Sequence, residues 1–262
     1  MRQNDEPRIT AEADTDLAIR LCRKGGATAL AHFRRSDAQN KAEDGAYDPV
    51  TLGDQEAETA IRNMLESERP RDNILGEEFG LKDVASDRCW TIDPIDGTRA
   101  FVSGIPSWGT LVGLREKDAF SIGAAYQPVT GDLFAGDGET AWLGSNTITT
   151  RKAVAIKDLR LSTTDVDLID EVYRPAFAQL KAEVAITRLG LDWYAYGLLA
   201  AGHLDVVIEC GLQVYDIAAL VPIVRGAGGV VTDLKGGDDI GPTVIAASCP
   251  QVHDAVLARF MA

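Results

Sequence analysis

Asp93 and Asp96 stand three residues apart in "WTIDPIDGTRAF" (residues 90–101), at the end of an apolar run and directly before Gly97-Thr98. Two carboxylates this close repel unless positive charge lies between them, and a hard divalent cation is the natural partner for a set of oxygen donors. Gly97 and Thr98 then open a short helix whose unpaired N–H groups suit an anion, with glycine permitting close approach. A cation beside an anion-binding turn is the arrangement that phosphoryl chemistry needs. The plainer reading of the same residues is an Asx-turn at Asp93 and a helix N-cap at Asp96.

Three further acidic stretches fit the same centre. "ILGEEFG" places Glu77 and Glu78 after a short apolar strand, where adjacent residues diverge, so one turns toward a metal and the other toward solvent. The plainer reading is a solvated acidic loop. "YDIAALVPIVRGAGG" puts Asp216 at the head of an amphipathic helix with Ile217, Leu220, Val221 and Val224 on its buried side, a position where aspartate also serves as a simple cap. "DPVTLGD" supplies Asp48, Thr51 and Asp54, which fit turn and cap roles equally well.

The elements that must hold these residues follow from periodicity and turn signals. Leu17, Leu21, Gly25, Thr28 and Phe33 step along one face of a first helix. After the polar stretch "AQNKAEDGAYDPVT", Thr51 and Asp54 resemble a capping box, Ala57, Ile61, Met64 and Leu65 share a face, and Pro70 closes a second helix. Residues 74–75, 89–92, 110–114, 120–126 and 132–135 read as strands, so helices packed on an antiparallel sheet are expected in this half. Beyond Thr150 helices and strands alternate: helices over 166–180, 193–201, 216–226 and 251–260, and strands over 183–187, 205–209 and 230–232. Two lobes are expected, 1–145 and 146–262.

Composition narrows the function classes. The 262 residues are 45% hydrophobic and 25% charged, which suits a globular chain with a sizeable core. A net charge of −14 repels nucleic-acid phosphates and anionic lipid, and no basic patch offsets it, so neither nucleic acid nor membrane is an expected partner. Cys22, Cys89, Cys210 and Cys249 form no CxxC pair, which argues against a thiolate zinc site or a disulfide framework. "MRQNDEPRIT" lacks the apolar core of a signal peptide, and the expected compartment is the cytoplasm. His32, His203 and His253 all lie outside the acidic motifs, consistent with an all-oxygen site.

Taken in order, "DPVTLGDQEAE" (48–58), "ILGEE" (74–78), "WTIDPIDGTRAF" (90–101) and "YDIAALVPIVRGAGG" (215–229) resemble the inositol monophosphatase superfamily of magnesium-dependent, lithium-sensitive phosphatases. The resemblance spans most of the chain. It implies a layered α-β-α-β-α sandwich of the inositol monophosphatase and fructose-1,6-bisphosphatase type, an α+β lobe preceding an α/β lobe, and commonly a homodimer. It implies two or three Mg2+ ions held by the side chains of Glu77, Asp93, Asp96 and Asp216 and by the carbonyl of Ile95, with phosphate at Gly97 and Thr98. Hydrolysis would proceed by in-line attack of water activated at the metal centre, helped by Glu77 and Thr98, with Asp54 orienting the threonine and no phosphoenzyme. A metal-binding regulatory protein without turnover is the non-enzyme alternative, and the presence of every activating residue speaks against it.

Substrate choice rests on departures from the commonest pattern. Arg99 in "DGTRAF", Tyr215 in "YD" and "RLGLDWYAYG" (188–197) resemble the histidinol-phosphatase branch, which implies histidinol phosphate as substrate, with inositol or another sugar or nucleotide phosphate as the alternative. Histidinol phosphate carries an amine and a partly protonated imidazole, so carboxylates are expected beyond the scissile phosphate. By the family's leaving-group contacts these are Asp192 and Glu209; Asp192 equally reads as a cap on the following helix.

Overall fold

The computed structural model describes residues 11–35, 39–40, 49–117, 119–238 and 240–261; Asp48 lies outside them. Helix α1 (Ala11–Leu30) leads through two short paired strands, β1 (Gln39–Asn40) and β2 (Pro49–Val50), to α2 (Leu52–Glu68). Thr51 is the N-cap of α2 in a full capping box with Asp54, as the sequence predicts, and Ala57, Ile61 and Leu65 are buried. An eight-stranded sheet follows, made of β3 (Asn73–Gly76), β4 (Gly80–Lys82), β5 (Arg88–Asp96), β6 (Gly109–Glu116), β7 (Ala119–Gln127), β8 (Asp132–Gly136), β9 (Ala141–Leu143) and β10 (Asn146–Ile148). Short helix α3 (Thr98–Val102) joins β5 to β6. The strand order is β10-β9-β8-β7-β6-β5-β3-β4, antiparallel except for the β3–β5 pair, which is parallel.

The second sheet contains β11 (Arg160–Thr163), β12 (Ile186–Leu189), β13 (Val206–Cys210), β14 (Val230–Thr232) and β15 (Thr243–Ala247), in the order β12-β11-β13-β15-β14. Its helices are α4 (Arg174–Glu183), α5 (Tyr194–Ala200), α6 (Val214–Ile217), α7 (Leu220–Gly226) and α8 (Pro250–Leu257). Helices α1 and α2 cover the outer face of the large sheet, α5 to α7 lie between the two sheets, and α8 packs outside the small one. Three apolar clusters fill the successive interfaces. The architecture is the expected α-β-α-β-α sandwich.

Several boundaries differ from the sequence expectations. The helix expected over 166–180 is a 3₁₀ turn at Val166–Leu168 followed by α4, because Pro175 fits only the first turn of a helix and so sets a new start there. The helix expected over 216–226 is two short helices, α6 and α7, since Pro222 has no N–H to continue a helical ladder from residue 218. Strand β12 begins at Ile186, later than the expected 183.

The junction of α6 and α7 lies on the large sheet with almost no gap. Gly113, Gly123 and Gly136 face one another across β6, β7 and β8. A Cβ at Gly123 would fall 1.8 Å from the carbonyl oxygen of Ala219, and one at Gly136 would fall 2.6 Å from Cα of Ile223. This row of absent side chains lets helix backbone rest on sheet backbone, which fixes the depth of Asp216 relative to β5.

Candidate active site

In a regular strand, residues three apart face opposite sides of the sheet. Strand β5 avoids this with an irregularity: Asp93 pairs with Leu111 and Asp96 with Gly109, so Pro94 and Ile95 together oppose Thr110 alone. The Thr110 hydroxyl donates to the Pro94 carbonyl at 2.8 Å and pins the bulge. The extra residue turns Asp96 to the side of Asp93. Asp216 reaches the same point from α6, and ligand oxygens of Asp93, Asp96 and Asp216 all lie within 4.8 Å of one another.

Each of these carboxylates is held by a backbone N–H. Ile95 donates to Asp93 Oδ1 at 3.1 Å, Trp193 to Asp96 Oδ1 at 3.1 Å, and Gln213 to Asp216 Oδ2 at 2.7 Å. The Asx-turn at Asp93 and the capping role of Asp216 are therefore real, whereas the N-cap of α3 is Gly97 (φ 83°) and not Asp96. Burial, then the charges of Glu77, Asp96 and Asp216, push the Asp93 carboxyl well above its ordinary range. Asp96 is raised in the same direction by burial and by the charges of Asp192 and Asp216. An all-carboxylate cluster whose members resist ionisation together fits a hard divalent cation, which supplies the missing positive charge.

A cavity of about 240 Å³ opens on this cluster, with Glu77, Gly97 and Thr98 also on its wall. Glu77 leads the loop between β3 and β4, and its N–H donates to the Ile92 carbonyl at 3.2 Å. The Thr98 hydroxyl donates to the Ile95 carbonyl at 3.1 Å, and Ile95 is among the residues on the cavity wall. Asp54 takes the capping role the sequence offers and not the contact with Thr98 that the resemblance implies. Its Oδ2 accepts both the N–H and the hydroxyl of Thr51, at 2.7 and 2.5 Å, and has no bond to Thr98, because the capping box engages it locally. Burial raises its carboxyl to about 7.

Asp192 and Glu209 line the same cavity. Asp192 is a non-glycine residue in the left-handed region (φ 50°), and its Oδ2 lies 3.0 Å from where a Cβ of Gly97 would be. It does not cap α5, whose N-cap is Trp193 with no side-chain bond. Burial raises the Asp192 carboxyl, while the Thr164 hydroxyl and the charge of exposed Arg99 act against this. Glu209, 3% exposed, accepts the N–H and hydroxyl of Thr164 at 2.8 and 3.1 Å. Burial pushes it up to about 8. Arg99 itself is not on the cavity wall.

Two wall residues escaped the sequence reading. Thr164 follows β11, a strand not expected from the pattern. Tyr196 is 2% exposed and its hydroxyl has no hydrogen-bond partner among the described residues. Burial and the charges of Glu209, Asp96 and Asp216 hold that phenol well above its ordinary range, so it stays a donor.

A two-sheet sandwich with a carboxylate cluster at a strand bulge, beside a glycine-opened helix, defines a metal-dependent phosphomonoesterase. Family comparison agrees: the chain belongs to the inositol monophosphatase family, whose model matches residues 11–261. It is 39% identical over 191 residues to the chloroplastic bifunctional phosphatase IMPL2 of Arabidopsis thaliana, covering 72% of this chain and 55% of that protein. It is 33% identical over 253 residues to the histidinol-phosphatase of Mycobacterium tuberculosis, covering 89% and 96%. The solved inositol monophosphatase of Zymomonas mobilis superposes with a TM-score of 0.85 at 36% identity, covering 97% and 100%. The protein is a phosphoric monoester hydrolase acting on small phosphomonoesters. No helix among the described residues is long and apolar enough to cross a membrane.

Proposed function

We propose that the protein hydrolyses histidinol phosphate with Mg2+ as cofactor. The observation that carries this reading is the pair Asp192 and Glu209, two carboxyl groups on the wall of the cavity that also holds Thr98. Carboxylates there suit a leaving group bearing an ammonium and an imidazolium. The similarity to a histidinol-phosphatase along most of both chains supports it.

In this reading Glu77, Asp93, Asp96 and Asp216, with the Ile95 carbonyl, hold two or three Mg2+ ions. Bound Mg2+ supplies Lewis acidity to the phosphoryl group and lowers the pKa of water. Gly97 and Thr98 orient the phosphate through the first-turn N–H groups of α3. Glu77 and the Thr98 hydroxyl position the attacking water and receive its proton density, and Asp54 holds the N-terminus of α2 through its bonds to Thr51. Asp192 and Glu209 orient the leaving alcohol, with Arg99 tuning Asp192.

A second reading, inositol phosphate, is favoured by one observation. Glu209 pushed up to about 8 is a carboxylic acid at neutral pH, able to donate to a neutral hydroxyl. Histidinol phosphate, inositol monophosphate and p-nitrophenyl phosphate compared at equal Mg2+ decide the matter. Asp192→Asn should lower kcat/KM for histidinol phosphate about ten- to hundredfold, the loss of a charge-assisted bond worth ~1.5–3 kcal/mol, and leave p-nitrophenyl phosphate nearly unchanged. Equal losses on both would make Asp192 a structural residue, and wild-type preference for inositol phosphate would favour the second reading. We also propose lithium inhibition, a cytoplasmic homodimer and division into lobes 1–145 and 146–262; light scattering tests the assembly.

A further inference from the structure

The loop carrying Glu77 has three residues, Glu77, Glu78 and Phe79, between the paired Gly76 and Gly80. Loop amides that leave the ladder need acceptors. Glu77 finds one on β5, at Ile92. The next two turn to α2, where the carboxylate of Glu58 accepts both: Glu78 N–H to Oε2 at 2.7 Å and Phe79 N–H to Oε1 at 3.3 Å. Glu58 is fully buried and paired with Arg62, one turn on, at 2.6 Å. Arg62 in turn donates to the carbonyl of Gly80. One ion pair on α2 therefore holds the loop by its N–H side and its carbonyl side together. Gly76 leaves room for it: a Cβ there would sit 1.9 Å from Glu58 Oε1.

A buried ion pair is a poor device for stability alone, because well-packed apolar residues of the same volume serve as well or better. Its value is directional. The amides it holds follow Glu77 directly, and Glu77 lines the same cavity as Asp93 and Asp96. The geometry points to the Glu58–Arg62 pair as the positioning device for Glu77, setting that carboxylate against Asp93 and Asp96. Helix α2 thereby serves the site twice, through Asp54 at its cap and Glu58 one turn later. The inference rests on the reading of Glu77 as a metal ligand.

The test is Glu58→Gln, which keeps the volume but replaces one carboxylate oxygen with an NH2 that cannot accept from the loop N–H it faces. Mn2+ binding to the substrate-free protein, followed by electron paramagnetic resonance, should weaken about tenfold or more. With Mg2+, kcat should fall about ten- to hundredfold while KM for p-nitrophenyl phosphate changes little. Arg62→Lys, which keeps a cation beside Glu58 but not the reach to Gly80, should show the same pattern at smaller size. Wild-type Mn2+ binding and kcat in Glu58→Gln, with only the melting temperature lowered, would make the pair a structural brace and overturn the inference. If Glu58→Gln does not fold, Arg62→Lys decides: weaker Mn2+ binding supports positioning, and unchanged binding overturns it. Glu77→Gln separates the two levels. Unchanged Mn2+ binding in that variant overturns the ligand reading and this inference with it, whereas loss there with none in Glu58→Gln overturns the inference alone.

Discussion

Asp93, Asp96 and Asp216 each accept a backbone N–H with one carboxylate oxygen, and each brings a carboxylate oxygen to the shared centre. Turn-forming, capping and metal-holding roles are thus complementary at these positions, because the local bond orients the carboxylate. Asparagine keeps an acceptor for the N–H and loses the charge. Asp93→Asn and Asp216→Asn are therefore expected to fold and to lose nearly all Mg2+-dependent turnover, while the metal-free melting temperature rises from relief of repulsion. Full activity of the wild type in EDTA would contradict the metal mechanism. At Thr98 the hydroxyl proton goes to Ile95, which leaves the oxygen lone pairs toward the cavity. Thr98→Ala should lower kcat by about a hundredfold or more with smaller change in metal affinity; an effect confined to KM would assign Thr98 to phosphate binding. The acid motifs were legible in the sequence because their spacing is chemical. The capping box of Asp54 with Thr51 was legible too, whereas the bond to Thr98 that the resemblance implies is not formed, because the cap engages the same oxygen.

Elements decide whether those residues meet. Helices α1 and α2 were readable from period and caps, as was most of the large sheet, because long apolar stripes and turn residues mark them. Strands β4, β9 and β10 have three residues each, too few to show alternation, and β11 and β15 went unread although they flank the central strand β13 of the small sheet. The bulge in β5 was hidden for a related reason: an extra residue leaves no compositional mark beyond Pro94. The glycine row is the feature with the sharpest consequence. Gly123→Ala puts a methyl group into the Ala219 carbonyl, and backbone, unlike a flexible side chain, yields only by moving α6 and α7. Overpacking of this kind costs about 1–3 kcal/mol or more. Because Asp216 rides on α6, the variant should also weaken Mg2+ binding, seen as a raised half-saturation for activity. A lower melting temperature with wild-type Mg2+ dependence would separate the glycine row from the site.

Across the whole molecule, the site draws on both sheets and on the helices between them, so its parts converge from residues 77 to 216 by long-range packing that no local pattern encodes. Such convergence concentrates carboxylates in a chain already at −14 net charge. Burial raises Asp54 to about 7 and Glu209 to about 8, and pushes Asp93 and Asp96 in the same direction. In each case the folded state holds its proton more tightly than the unfolded chain does. The stability so gained is complete below the unfolded carboxylate range near 4 and is lost as pH rises through 7 to 8. Carboxylates depressed by arginine partners, such as Glu68 beside Arg20, act with the opposite sign but only in acid, so the window from pH 5.5 to 8.5 isolates the raised group. Metal-free protein should therefore melt at lower temperature at pH 8.5 than at pH 5.5. Cation binding needs the ionised carboxylates and removes their repulsion, so it competes with protons at low pH and not at high pH. At a hundredfold excess over its dissociation constant Mg2+ adds about 2.7 kcal/mol, or roughly 5–10 °C for a chain of this size. Melting curves with and without Mg2+ across that window should show the shift growing with pH, and the growth should vanish in Asp216→Asn. A shift larger at pH 5.5 than at pH 8.5 would mean that the cluster is already ionised without its cation, and that burial does not govern these carboxylates.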